Sequence, residues 1–461
     1  MVRHVNSVVK KIDALASFRF LQNNSNSVQI FPFIFSVGIR AVGAFLALTI
    51  NVVLARMLGV HDYGRYIFLL SLAMVIGGLS VRGIDYVLTR ELVGSIGMSS
   101  TERKDLAYWA LSRLAIGGVL GAILYVIWIS YFYYGISDLF ASMHPVLSVI
   151  SGVIIIVFSA LVIIEAGAIN GYSASLRSQG LPLVVLNSAI LTGVGVLAAV
   201  ANNRISVPQV LLIQAVSYMA TFTVGLYWLN ALKRCHKRNS GHVGIHALDN
   251  GKKVARWNAA SRYFFLASVA ALLVNKMDVV LLSVLANSEV VGIYAAGARL
   301  AQVALIIALA VNSMLSPKIA KAYQDCDQRK LKELLHGAFK LTIPIALLEI
   351  IVALLFSGGI VNLFGSAYAS SAKSFFWVVV AYALWTALAP TYALFSMTGK
   401  ERVVAKISWL ILLVNFLAMT ILAPLYGANG AAFAMTLGYG VADIALIFVL
   451  IVENKKKYAL R

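Results

Sequence analysis

Basic side chains stand inside or at the edge of long apolar stretches of this 461-residue chain, at Arg40, Arg82, Arg90, Lys276 and Arg299. A charge at the centre of a bilayer costs roughly 3 kcal/mol on insertion scales, so it requires a partner or a hydrated surface. A guanidinium offers paired N–H donors that match the oxygens of a phosphate group. These positions therefore predict a binding site for an anionic, phosphate-bearing group, which a channel for neutral solutes would not need.

Two of these cations have an acid close by in the sequence. Arg82 and Asp85 are three residues apart and would share one helix face, so mutual neutralisation and ligand binding are equally open interpretations. Lys276 and Asp278 are two residues apart and would point to opposite sides of their helix. Lys276 and Asp278 therefore each need an interaction partner on another helix, in water or in a ligand. Arg90 at the membrane surface either attracts an anionic headgroup or only follows the usual bias towards basic inner loops.

Acidic residues within the apolar stretches predict a site for a coupling ion. A membrane carboxylate can carry a proton, or can bind sodium with a neighbour. We assign this role to Asp85, Asp278 and Glu349, although the two aspartates are equally suited as counter-ions for the basic residues. Glu165 lies near an inner helix end and is interpreted as interfacial.

Metal and nucleotide chemistry find no support in the sequence. Cys235, His236, His242 and His246 match no standard zinc spacing. The phosphate-binding loop G-x-x-x-x-G-K-[ST] does not occur, so we expect no ATP hydrolysis by this chain. We therefore predict no metal site and no cofactor, with coupling to a proton or sodium gradient as the energy source.

Composition indicates which elements position these residues. The chain is 61% hydrophobic and 12% charged, whereas soluble domains are about half apolar and a quarter charged. A membrane-spanning helix needs about 20 mostly apolar residues. Such runs occur at 31–53, 66–88, 106–129, 147–168, 181–200, 210–229, 263–285, 291–315, 341–364, 375–395, 404–425 and 432–452. The sequence predicts an all-α polytopic membrane protein with about 12 transmembrane helices.

The basic residues predict the orientation of these helices. Most of the 38 Lys and Arg residues fall in the tails and in alternate loops, which positive-inside statistics place in the cytoplasm. We call this side inner; the outer loops carry only Arg56, Arg65, Arg204 and Lys373. This pattern explains the net charge of +20 without nucleic acid. It predicts a multi-pass protein of the bacterial inner membrane with both termini in the cytoplasm.

An internal repeat divides the chain into halves. Gly64 and Gly292 follow matching outer turns, Gly171 and Gly399 lie in matching inner turns, and each pair is separated by 228 positions (292 − 64 and 399 − 171). Six helices per half give both halves the same orientation, and parallel-repeat transporters of this kind enclose a central cavity between two lobes. The predicted organisation is an N-terminal cytoplasmic tail (1–30), an N-lobe (31–232), a basic linker (233–258), a C-lobe (259–452) and a basic tail (453–461).

Several stretches in this order resemble one family across nearly the whole chain. They are ARMLGVHDYG (55–64), RGIDYVLTRE (82–91), NKMD (275–278), VGIY (291–294), SPK (316–318), LKEL (331–334), LFGSAY (363–368) and PLYGANGAA (424–432). The family is that of the bacterial polysaccharide transporters, or O-antigen flippases (Wzx-like), of the multidrug/oligosaccharidyl-lipid/polysaccharide (MOP) exporter superfamily. The chain lacks the two further helices usual in relatives that flip peptidoglycan precursor.

The resemblance implies a two-lobed fold with a cationic cavity and a polyprenyl-diphosphate-linked oligosaccharide as substrate. The family's first, second and eighth helices contribute basic residues, which correspond here to Arg40, Arg82 and Arg299. Asp85 and Asp278 match acidic positions of its motifs.

We therefore expect a flippase, not an enzyme, that moves a lipid-linked O-antigen or related repeat unit to the outer leaflet by alternating access. Its expected partners are this lipid, the membrane, and a polysaccharide polymerase with its chain-length machinery. The alternatives are a multidrug cation antiporter of the same superfamily, which a basic cavity disfavours, and a membrane-embedded polysaccharide polymerase or ligase. The short outer loops argue against the latter, because such enzymes typically hold their acceptor in a long outer domain.

Overall fold

The computed structural model describes residues 30–93, 100–135, 145–172, 174–200, 205–239 and 250–459. Within them the secondary structure is helical throughout. The N-terminal half contains α1 (Ile30–Val81), α2 (Ile84–Val93), α3 (Ser100–Gly135), α4 (Pro145–Gly171), α5 (Ser175–Gly180), a π-helical segment (Leu181–Val185), α6 (Leu186–Val200) and α7 (Val207–Asn239). The predicted N-terminal tail lies outside the described residues, apart from Ile30.

The C-terminal half begins with α8 (Asn250–Leu285), so the first turns of α8 lie in the predicted linker. The remaining elements are α9 (Ser288–Ala301), α10 (Leu305–Gln324), α11 (Gln328–Val361), two short 3-10 helices (Asn362–Phe364 and Ser366–Ser371), α12 (Ala372–Met397) and α13 (Glu401–Ala459). The predicted all-α polytopic fold is confirmed.

Two of the helices are far longer than a bilayer is thick. The apolar parts of α1 and α13 span 47 and 51 residues, or about 70 Å and more at 1.5 Å per residue, against about 30 Å of hydrocarbon. Each contains one glycine with a positive φ, Gly59 at 74° and Gly427 at 58°. A side chain disfavours this conformation, so glycine allows the chain to turn back there. Each of these helices therefore provides two spans.

In the described part of the chain, eight helices are long and apolar enough to cross a membrane, and α8 contributes a further span bent by 53° just before Lys276. If α1 and α13 are each counted as two spans, and α9 with α10 as one broken span, the helices account for the twelve predicted runs. Large apolar side chains such as Leu124, Leu354 and Phe356 are exposed, as lipid contact requires.

The second predicted span, 66–88, is not one continuous helix. Arg82 and Gly83 have φ values of 53° and 71° and separate α1 from α2. At Gly83 the backbone of α8 comes so close that a Cβ would lie 2.8 Å from the Phe264 Cβ and 3.0 Å from the Ser261 carbonyl oxygen. The sequence placed Arg82 and Asp85 on one helix face, and this was wrong because the helix ends between them.

The two halves meet at their outer ends through the pair of glycines that defined the repeat. A Cβ on Gly64 would lie 1.9 Å from the carbonyl oxygen of Ser288, and one on Gly292 would lie 2.1 Å from that of Val60. Gly64 and Gly292 are 228 positions apart, and so are Val60 and Ser288, whose carbonyl oxygens they face. Each half therefore makes the same contact with the other half. This outer seam brings α1 and α9 into direct backbone contact.

Aromatic residues extend the outer seam. Tyr63 is fully buried, and its ring lies 6.1 Å from Phe364 and 6.0 Å from Tyr368 between ring centroids. The Tyr368 hydroxyl donates to the Ala55 carbonyl oxygen at 3.0 Å, and the Arg56 Nε donates to that of Leu363 at 2.9 Å. The halves are therefore closed against each other on the outer side.

The first turns of α8 pack against the N-terminal half on the inner side. Trp257 is 2% exposed and its ring lies 5.7 Å from that of Trp109 on α3, whose Nε1 donates to Asn258 at 2.8 Å. Arg256 forms an ion pair with Glu91 of α2, and Lys253 with Glu102 of α3. These contacts hold the beginning of α8 beside α2 and α3.

Candidate functional site

Three predicted site residues come together in the C-terminal half, where α8 bends and α9 crosses it. Lys276 and Arg299 are close enough to repel each other, and both are attracted to Asp278. Asp278 accepts a hydrogen bond from the Tyr294 hydroxyl at 2.6 Å through Oδ2, while its buried Oδ1 has no partner. The site therefore holds two basic side chains beside one acid.

Arg299 points towards the other half of the molecule. Its electrostatic neighbours include Tyr63 and Tyr66 of α1 and Tyr382 of α12. Its Nη1 donates to Gln302 at 3.3 Å, in the turn that separates α9 from α10. The Gln302 amide therefore orients the guanidinium without neutralising its charge.

A second cationic position lies in the N-terminal half. The Arg40 Nε donates to the Gln179 side-chain oxygen of α5 at 3.2 Å, and the Ser36 hydroxyl donates to the same oxygen at 2.8 Å. Arg40 is half-buried. An amide orients the guanidinium while leaving its charge available for an anion.

Arg82 and Asp85 lie on either side of the break between α1 and α2. The Arg82 carbonyl oxygen accepts from the Ser261 hydroxyl of α8 at 2.7 Å, so the backbone of this break is bound to the C-terminal half. Asp85 stands in the first turn of α2, where the exposed N–H groups of a helix favour a carboxylate. Arg82 and Asp85 do not form an ion pair.

Arg90 does not join these residues. It is exposed and pairs with Glu91 at 2.9 Å, and Glu91 also binds Arg256. Glu91 itself is buried, with a side chain 6% exposed. Arg90 therefore lies at the inner surface, in the contact between α2 and the beginning of α8.

The cations occupy two depths. Counting along the helices from the outer seam, Arg299 lies about 10 Å from Gly292, and Lys276 about 14 Å from the end of α8. Arg40 lies about 29 Å from Gly59, and Arg82 about 27 Å from Gly64. We call Lys276 and Arg299 the outer tier, and Arg40 and Arg82 the inner tier. Among the described residues, none of these four has a carboxylate within 4 Å.

The predicted coupling acids are spread over the molecule. Asp278 lies beside the outer tier and Asp85 at the helix break, whereas Glu349 lies on α11 beside Thr386 of α12. Asp443 of α13 is another buried acid, 5% exposed, and it accepts from the Tyr392 hydroxyl at 3.4 Å. No group of three or more His, Cys, Asp or Glu residues converges in the described part of the chain.

Residues that the sequence did not single out complete the site. The Tyr294 hydroxyl donates to Asp278, and the side-chain oxygens of Gln179 and Gln302 accept from Arg40 and Arg299. Tyr63 and Tyr66 lie within electrostatic range of Arg299, while their hydroxyls donate to Asn51 and Gln214. Tyr66, Tyr294 and Gln302 lie in predicted apolar runs, where such residues look like core or interfacial positions, and Tyr63 and Gln179 lie in the segments that connect the runs. Their position near the basic residues becomes visible only once the separate helices are packed together.

Comparison with solved structures places this fold among membrane transporters. The lipid II flippase MurJ in an inward closed conformation aligns with a TM-score of 0.68 and 16% identity, over 90% of this chain and 87% of that one. An inward-facing multidrug resistance MATE family transporter of the MOP superfamily aligns with a TM-score of 0.63 and 16% identity, over 92% of this chain and 99% of that one. A point mutant of the Vibrio cholerae MATE transporter VcmN aligns with a TM-score of 0.56 and 14% identity, over 92% of this chain and 96% of that one.

A comparison with curated protein sequences finds no match for this chain. A family model described as "polysaccharide biosynthesis protein" matches residues 33–323, which include both tiers and the glycine pair of the outer seam. The resemblance expected from the motifs is thereby confirmed. With its multi-span fold and its transporter-like architecture, the chain belongs to the polysaccharide biosynthesis protein family.

Proposed function

We propose that this protein is a flippase that moves a polyprenyl-diphosphate-linked oligosaccharide, an O-antigen or related repeat unit, from the inner to the outer leaflet by alternating access. The observation that carries the proposal is the arrangement of Arg40, Arg82, Lys276 and Arg299 at two depths without carboxylate partners. Unpaired cations within a membrane protein require an anionic ligand or water. A diphosphate supplies two adjacent anionic groups.

The two tiers suggest the order of events. A headgroup arriving from the inner leaflet meets Arg40 and Arg82 first, because they lie nearer the inner side. It then passes to Lys276 and Arg299, whose positive charges repel each other until an anion lies between them. The polyprenyl tail stays in lipid throughout, so only the diphosphate and its sugars need a hydrated path.

The outer seam supports the alternating-access part of the proposal. Closed backbone contact at Gly64 and Gly292 separates the outer tier from the outside, and release of the headgroup requires this contact to separate. The reciprocal geometry allows the seam to open by one rigid movement of the two halves. The conformation of this structure is therefore closed on the outer side.

Asp278 and Glu349 are proposed as coupling groups, together with Asp85. Asp278 is placed to sense the substrate, because it attracts the same two cations that the diphosphate would bind. Protonation of Asp278 would strengthen the positive field of the outer tier, whereas ionisation would weaken it and favour release. An inward gradient of protons or sodium would supply the energy.

The similarity to a MATE family transporter raises a second candidate, a multidrug cation antiporter. The two proteins share 16% identity, which indicates a common fold. A cationic drug would be repelled by basic residues that outnumber the acids in both tiers. The charge of the site therefore favours the anionic substrate.

A flipping assay in liposomes tests the proposal. A lipid-diphosphate oligosaccharide is placed in one leaflet, and its appearance in the other is followed for the wild type, Arg40→Ala and Arg299→Ala. We expect each substitution to slow transport at least tenfold, and Lys at either position to restore part of the rate because charge is kept and the bidentate fork is lost. Arg329→Ala is the control, since that side chain is 91% exposed and pairs with Glu333. Normal rates in both Ala variants, with normal folding, would remove the anion-binding mechanism.

A further inference from the structure

Glu165 on α4 is a buried acid that the proposed transport cycle does not use. It is 4% exposed, and in the described part of the chain neither of its carboxylate oxygens has a hydrogen-bond partner. The sequence predicted an interfacial position from its nearness to the inner helix end, and did not reveal that neighbouring helices enclose the side chain. A group of this kind requires an explanation, since buried polar atoms are almost always satisfied.

A glycine creates the space that Glu165 occupies. A Cβ on Gly225 of α7 would lie 2.1 Å from the Glu165 Oε2 and 3.1 Å from the Leu181 Cδ2. Leu181 is the first residue of the π-helical segment between α5 and α6, and such segments occur frequently at functional sites. Three elements of the N-terminal half therefore form a niche around one carboxyl group.

The charged groups near the niche do not neutralise Glu165. Lys233 on α7 attracts it electrostatically but forms no ion pair with it, and lies about 12 Å further along the helix than Gly225. Asp85 of α2 contacts Gly167, which follows Glu165 by two residues on α4 and therefore lies on a different face of that helix. Arg177 of α5 lies four residues before Leu181, and Arg40 of α1 is bound to Gln179.

An ionised carboxylate in this niche would be very unfavourable, because it has lost water and gained no donors. A metal cation would need several oxygen ligands, and no group of three or more acidic, histidine or cysteine residues converges there among the described residues. A proton is the ligand that one lone carboxyl group can bind by itself.

We propose that Glu165 is a proton-binding site of the N-terminal half, filled from the inner aqueous phase. The carboxylate takes a proton from hydronium, which leaves water, and becomes a neutral acid. Glu165 lies about 9 Å from the inner end of α4, so the path to the inner side is short. Release of the proton leaves a carboxylate that the closed niche disfavours, so α4 and α7 must separate enough to admit water. Proton occupancy is thereby linked to the movement of the halves; this link, unlike proton binding itself, rests on the proposed transport function.

Infrared spectroscopy of the purified full-length protein in lipid nanodiscs tests proton binding without any transport. The difference spectrum between the wild type and Glu165→Gln is expected to contain the C=O band of a neutral carboxylic acid near neutral pH. Glu333→Gln is the control, because Glu333 is an exposed ion-pair partner and should give no such band. Absence of the band from the Glu165 difference spectrum would overturn the proposal.

Flipping at a series of inner pH values tests the link to transport. The wild-type rate is expected to change with inner pH, Glu165→Gln to lose most of that dependence, and Glu165→Asp to restore part of it because a carboxyl group is kept. Gly225→Ala should act like Glu165→Gln by displacing the carboxyl group, whereas Gly195→Ala, with open space around it, should not. An unchanged pH profile in Glu165→Gln would show that the neutral acid is structural and would refute the coupling. If the wild type flips no lipid at all, the infrared band still decides whether Glu165 binds a proton.

Discussion

Substitution of Gly64 by alanine should destabilise the outside-closed conformation selectively. The new Cβ would lie 1.9 Å from the Ser288 carbonyl oxygen and 2.8 Å from the Gly292 nitrogen. Ordinary contact begins near 3.4 Å, so α1 and α9 must separate by about 1.5 Å at this point. Both obstructing groups are backbone atoms, and no side chain can rotate away.

The magnitude follows from the cost of overpacking, about 1–3 kcal/mol. The clash exists only while the two halves touch, so this whole cost falls on the closed state and none on the open state. Because 1.4 kcal/mol corresponds to a factor of ten, the ratio of closed to open molecules should fall about 5- to 150-fold. Gly292→Ala should do the same, since its Cβ would lie 2.1 Å from the Val60 carbonyl oxygen. The double variant should add little once the seam is open, because one movement relieves both clashes.

Spin labels at His61 and Glu289 provide the assay. Both positions are exposed, lie on opposite sides of the seam and are separated by the same 228 positions as the two glycines. After replacement of Cys235 and Cys326 by serine, the wild type should give a short, narrow distance distribution, and Gly64→Ala a longer one. Gly337→Ala, whose Cβ meets nothing within 4 Å, is the matched control. A wild-type distribution in a folded Gly64→Ala protein would refute the idea that this contact closes the outer side.

Further predictions concern the polar contacts of the helices. Glu91→Gln should reduce the free energy of unfolding by about 1–3 kcal/mol, because the buried carboxylate binds both Arg90 and Arg256; thermal unfolding in detergent measures this, and the exposed-pair variant Glu333→Gln should show no loss. Tyr294→Phe should cost about 1–3 kcal/mol and slow flipping, because it removes the 2.6 Å hydrogen bond to Asp278. The corresponding variant Tyr392→Phe loses only a 3.4 Å contact and should be milder; equal effects of the two would contradict this assignment.

Much of the fold follows from the sequence, because the bilayer imposes a simple requirement. An apolar run of about 20 residues has to be a helix, since lipid cannot satisfy an open backbone. The repeat could also be predicted, because Gly64 and Gly292 occupy equivalent turns. That these two glycines touch each other was not predictable, since a shared offset indicates symmetry and gives no distance.

The parts that sequence reasoning missed depend on contacts between helices. Residues 66–88 read as one apolar run, and the break at Arg82–Gly83 arises from the close approach of α8. That Arg90 shares the Glu91 carboxylate with Arg256 could not be predicted, because Arg256 and Glu91 are 165 positions apart in the chain. Glu165 looked interfacial because its distance from a helix end is readable, whereas the space beside Gly225 is not.

The central claim is that the basic residues of the inner and outer tiers bind an anionic diphosphate headgroup. Calorimetric titration of the protein in nanodiscs with a short-chain prenyl diphosphate measures this affinity, for the wild type and for the variants Arg40→Ala and Arg299→Ala. A hydrogen bond to a charged group contributes about 1.5–3 kcal/mol, so each variant should bind about 10- to 150-fold more weakly, with a smaller salt dependence. Equal affinity and equal salt dependence in wild type and variants would contradict the account.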